Sequence, residues 1–207
     1  ASWLAGYYGG AASAVATGGA GTDTFPLYGF GPHDYATFHF TYAITDFMVG
    51  AGGDVIDTAA AQGLLEESAR IGGYTGGNPF HPALGYLRLV QAGADTLLQW
   101  DIDGVAAGSF QWATVVTLQG VEATALSAEN FAGQIPPLGG PIPSKTTLGT
   151  PGHDTVLGGF VDDHISGLGG QDSLEGGLGA DTLLGGTEGD YLRGDYGNDS
   201  LQGDEIG

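Results

Sequence analysis

The stretch GGLGADTLL, residues 176–184, joins the residues of a loop to those of a strand, and the segments on either side nearly repeat it. Cut into nines from Gly149, the chain reads GTPGHDTVL, GGFVDDHIS, GLGGQDSLE, GGLGADTLL, GGTEGDYLR and GDYGNDSLQ, followed by GDEIG. The sixth place is always aspartate: Asp154, Asp163, Asp172, Asp181, Asp190 and Asp199. The eighth is always apolar: Val156, Ile165, Leu174, Leu183, Leu192 and Leu201. Consecutive matches at two coupled places mark a structural repeat. A flexible Gly/Asp linker has no use for a regularly placed Leu or Ile.

The spacing has a chemical sense. Glycines at the first, second and fourth places open backbone conformations that other residues avoid, so several carbonyls can turn toward one point. Gly152, Gly159, Gly170, Gly177, Gly179, Gly186 and Gly197 hold second and fourth places. The sixth-place aspartate adds a carboxylate. Hard oxygen donors, mostly neutral carbonyls with a few carboxylates, suit calcium and are a poor choice for zinc or copper. The last three residues predict a short strand whose middle side chain points inward. Two nonapeptides then make one turn of a parallel coil, with a loop at each edge and the apolar residues stacked inside. If loops n and n+2 pair along each edge, the six repeats make four complete sites.

Composition sets the outer bounds. The chain has 207 residues, 41 of them Gly, with 24 acidic residues against 4 basic ones and a formal charge of -20. Four cations cannot build a nucleic-acid patch, and an anionic membrane surface is disfavoured for the same reason. With no cysteine there is neither a disulfide staple nor a thiolate metal site. Of the 24 acidic residues, 12 lie in residues 149–207. Without a cation they repel one another, and the ordering entropy of the glycines keeps that segment unfolded. Metal binding is then folding free energy. No apolar run reaches the length of a membrane span. The start, ASWLAGYYGGAASAVATGG, carries an Ala-x-Ala pattern but neither a basic start nor a Met, so it predicts a mature segment or an excised part of a longer chain.

The nonapeptides resemble the G-G-x-G-x-D-x-U-x repeat of RTX (repeats-in-toxin) proteins, over residues 149–207. That resemblance implies a calcium-dependent β-roll, exported unfolded and folded outside the cell. Val161 and Glu188 replace the fourth-place glycine, and Leu168 and Asp195 the second; weaker binding or altered loop geometry is expected there.

Residues 1–135 read differently. GGAGTDTF, residues 18–25, is one more nonapeptide beginning, with Gly18, Gly19 and Gly21 in the loop, Asp23 at the ligand place and Phe25 at the core place. The nine residues before it, GGAASAVAT, carry Ala14 where Asp should stand, which suggests the end of a degenerate roll with half a calcium site. Farther on, Leu98, Trp100 and Ile102 alternate with Leu97, Gln99 and Asp101, as in a strand, and Asp103-Gly104 predicts a turn between strands. AAAQGLLEE, residues 59–67, predicts a short helix interrupted by Gly63. GGAGTDTF, ITDF, GGDVID, DTLLQWDIDG and VTLQGV together resemble the C-terminal cap that follows RTX rolls in type I secretion substrates, including the serralysin-like extension, over residues 18–132. The expected fold is all-β: a parallel β-roll with a mostly antiparallel β cap domain. The expected divisions are a degenerate roll end at 1–27, the cap at 28–135, a Pro/Gly linker at 136–148 and the roll at 149–207.

Other features weigh less. Asp101-Ile102-Asp103-Gly104 starts like an EF-hand but lacks its third acidic ligand and closing Glu, which favours a hairpin turn. His33, His39 and His81 read as scattered surface histidines rather than a transition-metal site. Asp54 and Asp57 either bind calcium at the roll junction or cap the following helix. Trp3, Trp100 and Trp112 read as core, although FPLYGFGPHDYATFHFTY, residues 25–42, is aromatic enough to suit a glycan, with Tyr35 and Phe38 as test positions. The nucleophile, zinc-protease and phosphate-loop motifs are missing, so the chain reads as a non-enzymatic, calcium-binding extracellular module, structural or adhesive. Copies joined head to tail through shared calcium would make a surface layer or filament. The alternatives are the secretion and folding module of a larger protease, lipase or epimerase, or a carbohydrate-binding adhesin module.

Overall fold

The computed structural model describes residues 12–27, 40–57, 64–108, 110–132 and 135–204. The chain divides into two compact units: Ala1–Gly72 with Pro79–Gly140, and Gly73–Asn78 with Pro141–Gly207.

The first unit contains β1 (Ala12–Ala16), β2 (Thr24–Pro26), β3 (Phe40–Ile44), β4 (Val55–Asp57), α1 (Leu64–Gly72), β5 (Leu87–Ala92), β6 (Asp95–Trp100), α2 (Gly104–Ala107) and β7 (Ala113–Leu118). Five strands form a sheet in the order β1-β3-β7-β6-β5, and β2 pairs with β4 apart from it. The antiparallel expectation holds for β5-β6 and β6-β7 only. The pairings β1-β3 and β3-β7 are parallel, so this sheet is mixed. Alternation in β6 is as expected: Thr96, Leu98 and Trp100 are buried, as is Ile102 beyond the strand. The indole N–H of Trp100 donates to Ser68 Oγ at 2.8 Å, which satisfies a buried polar group and ties α1 to the sheet.

Strand β1 lies parallel beside β3 in the five-stranded sheet. Two expectations for this unit need correction. The described helix, Leu64–Gly72, runs on past the expected end at Glu67, and residues 59–63 are outside the described residues. Its buried residues Leu64, Leu65, Ser68 and Ala69 recur at helical spacing. Asp103-Gly104 does turn the chain, but it opens the short helix α2 within a long β6-β7 connection. A tight hairpin is formed instead by Gly93 and Ala94 between β5 and β6.

The second unit holds β8 (Lys145–Leu148), β9 (Thr155–Gly159), β10 (Asp163–Gly169), β11 (Ser173–Leu178), β12 (Thr182–Thr187), β13 (Tyr191–Tyr196) and β14 (Ser200–Asp204). They form two parallel sheets, β14-β12-β10-β8 and β13-β11-β9. Successive strands of a sheet are offset by two nonapeptides, with Ile165 opposite Leu183, Leu183 opposite Leu201, Val156 opposite Leu174 and Leu174 opposite Leu192. This is the expected coil. Ile165, Leu174 and Leu183 are fully buried, with Val156 and Leu192 packed against them, each worth roughly 1.5–3 kcal/mol of burial. The strands are longer than three residues because they continue through the first places of the next repeat, as β12 does through Gly185 and Gly186. The roll also starts earlier than expected: residues 145–148, assigned above to the linker, form β8 and pair with β10.

Candidate calcium sites

Each sixth-place aspartate sits at the end of a loop, one residue or less before its strand. Asp163, Asp172 and Asp181 are buried, with exposures of 3%, 3% and 1%. A single bond pattern repeats up both edges. On one edge Asp154 N–H donates to Asp172 Oδ1 at 2.9 Å, and Asp172 N–H to Asp190 Oδ1 at 3.0 Å. On the other, Asp163 N–H donates to Asp181 Oδ1 at 2.8 Å, and Asp181 N–H to Asp199 Oδ1 at 3.0 Å.

The second oxygens are different. Oδ2 of Asp172, Asp181 and Asp190 is buried and accepts no hydrogen bond, and neither oxygen of Asp163 accepts one. A buried carboxylate oxygen without a partner costs several kcal/mol in order of magnitude, unless a proton or a cation neutralises it. Burial, followed by the charges of Asp163, Asp199 and Asp162, pushes the Asp181 carboxyl up to about 6. The donors fit calcium, since they are carboxylates beside loop carbonyls. Among the described residues no three His, Asp or Glu side chains converge, so backbone carbonyls would complete the shell. Asp154, Asp172 and Asp190 would hold the metal on one edge and Asp163, Asp181 and Asp199 on the other. Asp154 differs in that its Oδ2 accepts from Thr150 N–H at 2.6 Å and Thr150 Oγ1 at 3.0 Å.

The glycines have two separate causes. At the first place the reason is contact: a Cβ on Gly167, Gly176 or Gly185 would overlap Oδ2 of Asp172, Asp181 or Asp190. At the second and fourth places it is backbone: Gly177 and Gly179 have φ of 104° and 134°. Gly159, Gly170, Gly186 and Gly197 share that region, whereas Gly152 does not. Three of the departures from the motif keep a positive φ, since Leu168, Glu188 and Asp195 adopt 76°, 76° and 69°. Each stores about 1–2 kcal/mol of strain. Their φ lies below that of every positive-φ glycine in the roll, and Val161 leaves the positive region altogether.

The amino-terminal loop repeats this pattern. Gly19 and Gly21 have φ of 93° and 105°, and a Cβ on Gly18 would lie 2.6 Å from Asp23 Oδ2. Strand β2 pairs in parallel with β4, Thr24 opposite Val55 and Phe25 opposite Ile56, and Asp23 N–H donates to Asp54 Oδ1 at 2.9 Å. Residues 49–57, VGAGGDVID, are thus a further nonapeptide, with Gly50 and Gly52 at φ of 83° and 71°. It escapes a search for regular nines because Val49 replaces the first glycine and a long insertion separates it from its partner. The signal was legible in Gly50, Gly52, Asp54 and Ile56.

Here the carboxylates of Asp54 and Asp46 are filled from the protein. Asp54 is fully buried, and its Oδ2 accepts Met48 N–H at 2.9 Å. Asp46 accepts Gly18 and Gly19 N–H at 3.0 and 2.9 Å, and those donors hold its carboxyl below the usual range. Asn130 Nδ2 donates to Asp54 O at 2.9 Å. Asp54 thus serves this turn rather than capping the helix, and Asp57 is the last residue of β4 opposite Pro26. Of the remaining candidates, His81 Nδ1 accepts Ala83 N–H at 3.2 Å. Trp100 is core, and the Arg88 guanidinium lies 4.1 Å from the Trp112 ring centroid. His33, His39, Trp3, Tyr35 and Phe38 are outside the described residues.

Residues 148–183 and 184–205 match the RTX calcium-binding nonapeptide repeat, in 4 copies. The second unit carries an RTX β-roll, and its repeats are calcium-binding motifs. No curated protein matches the chain.

Proposed function

We propose that the chain is a non-enzymatic structural module that leaves the cell unfolded and folds outside it when calcium fills the roll. The observation that carries this reading is the row of buried Oδ2 atoms on Asp172, Asp181 and Asp190. Fold and metal are then one equilibrium, and an unfolded chain suits export from a cytosol poor in calcium. RTX repeats are typical of secreted bacterial proteins, and no helix among the described residues is long and apolar enough to cross a membrane. Titrating calcium into chelated protein under circular dichroism, with magnesium as control, tests the reading. A cooperative coil-to-β transition specific to calcium is the expected result, and a roll already folded in chelator would overturn it.

Head-to-tail joining of copies belongs to the same reading. Its support is the apolar amino end of the roll, where Leu148 and Leu157 on edge strands β8 and β9 are 68% and 65% exposed. Filaments seen by electron microscopy in calcium and dissolved by chelator are expected; their absence in calcium would sink the assembly step alone.

A further inference from the structure

Strand β8 meets β10 with Lys145 opposite Asp163, Thr146 opposite His164, Thr147 opposite Ile165 and Leu148 opposite Ser166. That is the register in which His164 faces Thr182 and Ile165 faces Leu183 one turn later. Residues 140–148 therefore occupy one more nonapeptide turn, and Lys145 stands at the sixth place, where each later repeat has aspartate. The second and fourth places of this turn are Pro141 and Pro143. Proline holds φ near -65°, so neither can adopt the left-handed conformation that Gly177 and Gly179 adopt in a metal loop. The turn lacks both the carboxylate and the backbone of a calcium loop.

Facing it is Asp163, 3% exposed, with both oxygens buried and neither accepting a hydrogen bond. Among the other carboxylates of the ladder, Asp172, Asp181, Asp190 and Asp199 each receive an N–H on Oδ1 from the turn before. We infer that Lys145 is a built-in cation that stands in for calcium at the amino end of this edge. It favours the docking of β8 on β10 as the roll folds and so presents Asp163 and Asp181 to the first calcium of the ladder.

The inference rests on the calcium-coupled folding proposed above. The opposite assignment, a calcium held between residues 140–145 and 158–163, predicts the opposite sign, since Lys145 would then repel the metal. Full-length Lys145→Gln and Lys145→Arg are compared with the wild type by calcium titration under circular dichroism, with bound calcium counted by native mass spectrometry. Lys145→Gln should raise the calcium midpoint about two- to fivefold, the scale of one exposed charge–charge attraction. Lys145→Arg should keep the wild-type midpoint, and all three proteins should bind the same number of ions. A midpoint that falls or stays fixed in Lys145→Gln, or one extra bound calcium, overturns the inference. A wild type with no calcium transition overturns the underlying reading instead.

Discussion

In the roll, Asp172 and Asp181 each keep one buried carboxylate oxygen without a hydrogen bond. In the turn of residues 49–57, Asp54 is buried just as deeply, but Asp23 and Met48 N–H fill its two oxygens. The loop conformation, parallel register and aspartate place are the same in both. The difference lies in what meets the carboxylate: an external cation at Asp172 and Asp181, and backbone N–H groups at Asp54. A nonapeptide thus encodes a turn, and its surroundings decide whether that turn needs metal.

The largest expected effect breaks the two regions apart. In chelator, the amides of Asp154, Asp163, Asp172 and Asp181 should lose hydrogen-exchange protection while those of Asp23 and Met48 keep theirs. Simultaneous loss at both sets would mean that the turns share one metal dependence. Next in size, Leu183→Ala should cost about 2–5 kcal/mol in urea unfolding of the calcium-loaded roll, because Leu183 is fully buried between Ile165 and Leu174. Asp54→Ala should cost about 2–4 kcal/mol with or without calcium, from two lost charge-assisted hydrogen bonds; Asp181→Asn, by contrast, should weaken calcium binding and leave the chelated protein unchanged.

A pH effect separates the first unit again. Asp101 is pushed up to about 6, first by burial and then by Asp103. A carboxyl that keeps its proton to a higher pH when folded than when unfolded stabilises the fold at low pH. That contribution is complete below about 4, the ordinary Asp value, and is lost as pH rises through about 6. Asp101→Asn should flatten this slope in urea melts taken across the range, and a slope retained in the variant would assign it elsewhere. The smallest effect concerns strain: Leu168→Gly relieves a φ of 76° at an exposed place and should stabilise the loaded roll by up to about 1 kcal/mol.

The roll was legible because its two controlling interactions are periodic. Aspartate at the sixth place and an aliphatic at the eighth appear once per turn, and a coil with one repeat per edge has no other way to bury Ile165, Leu174 and Leu183. The first-place glycines were also visible, but their cause was not, since only the folded loop shows the Asp172 carboxylate lying against Gly167. The turn at 49–57 went unread because its partner lies beyond an insertion, and strand pairing across an insertion leaves no period.

Residue spacing alone determined the repeat, the stacked apolar core and the choice of a hard cation, because those follow from side-chain chemistry recurring at fixed intervals. Tertiary structure decided the rest. It placed Met48 N–H on Asp54, put Lys145 opposite Asp163, and made the first unit's sheet mixed. Each of these is a contact between residues far apart in the chain, and only folding brings their charges and hydrogen-bonding groups within reach of one another.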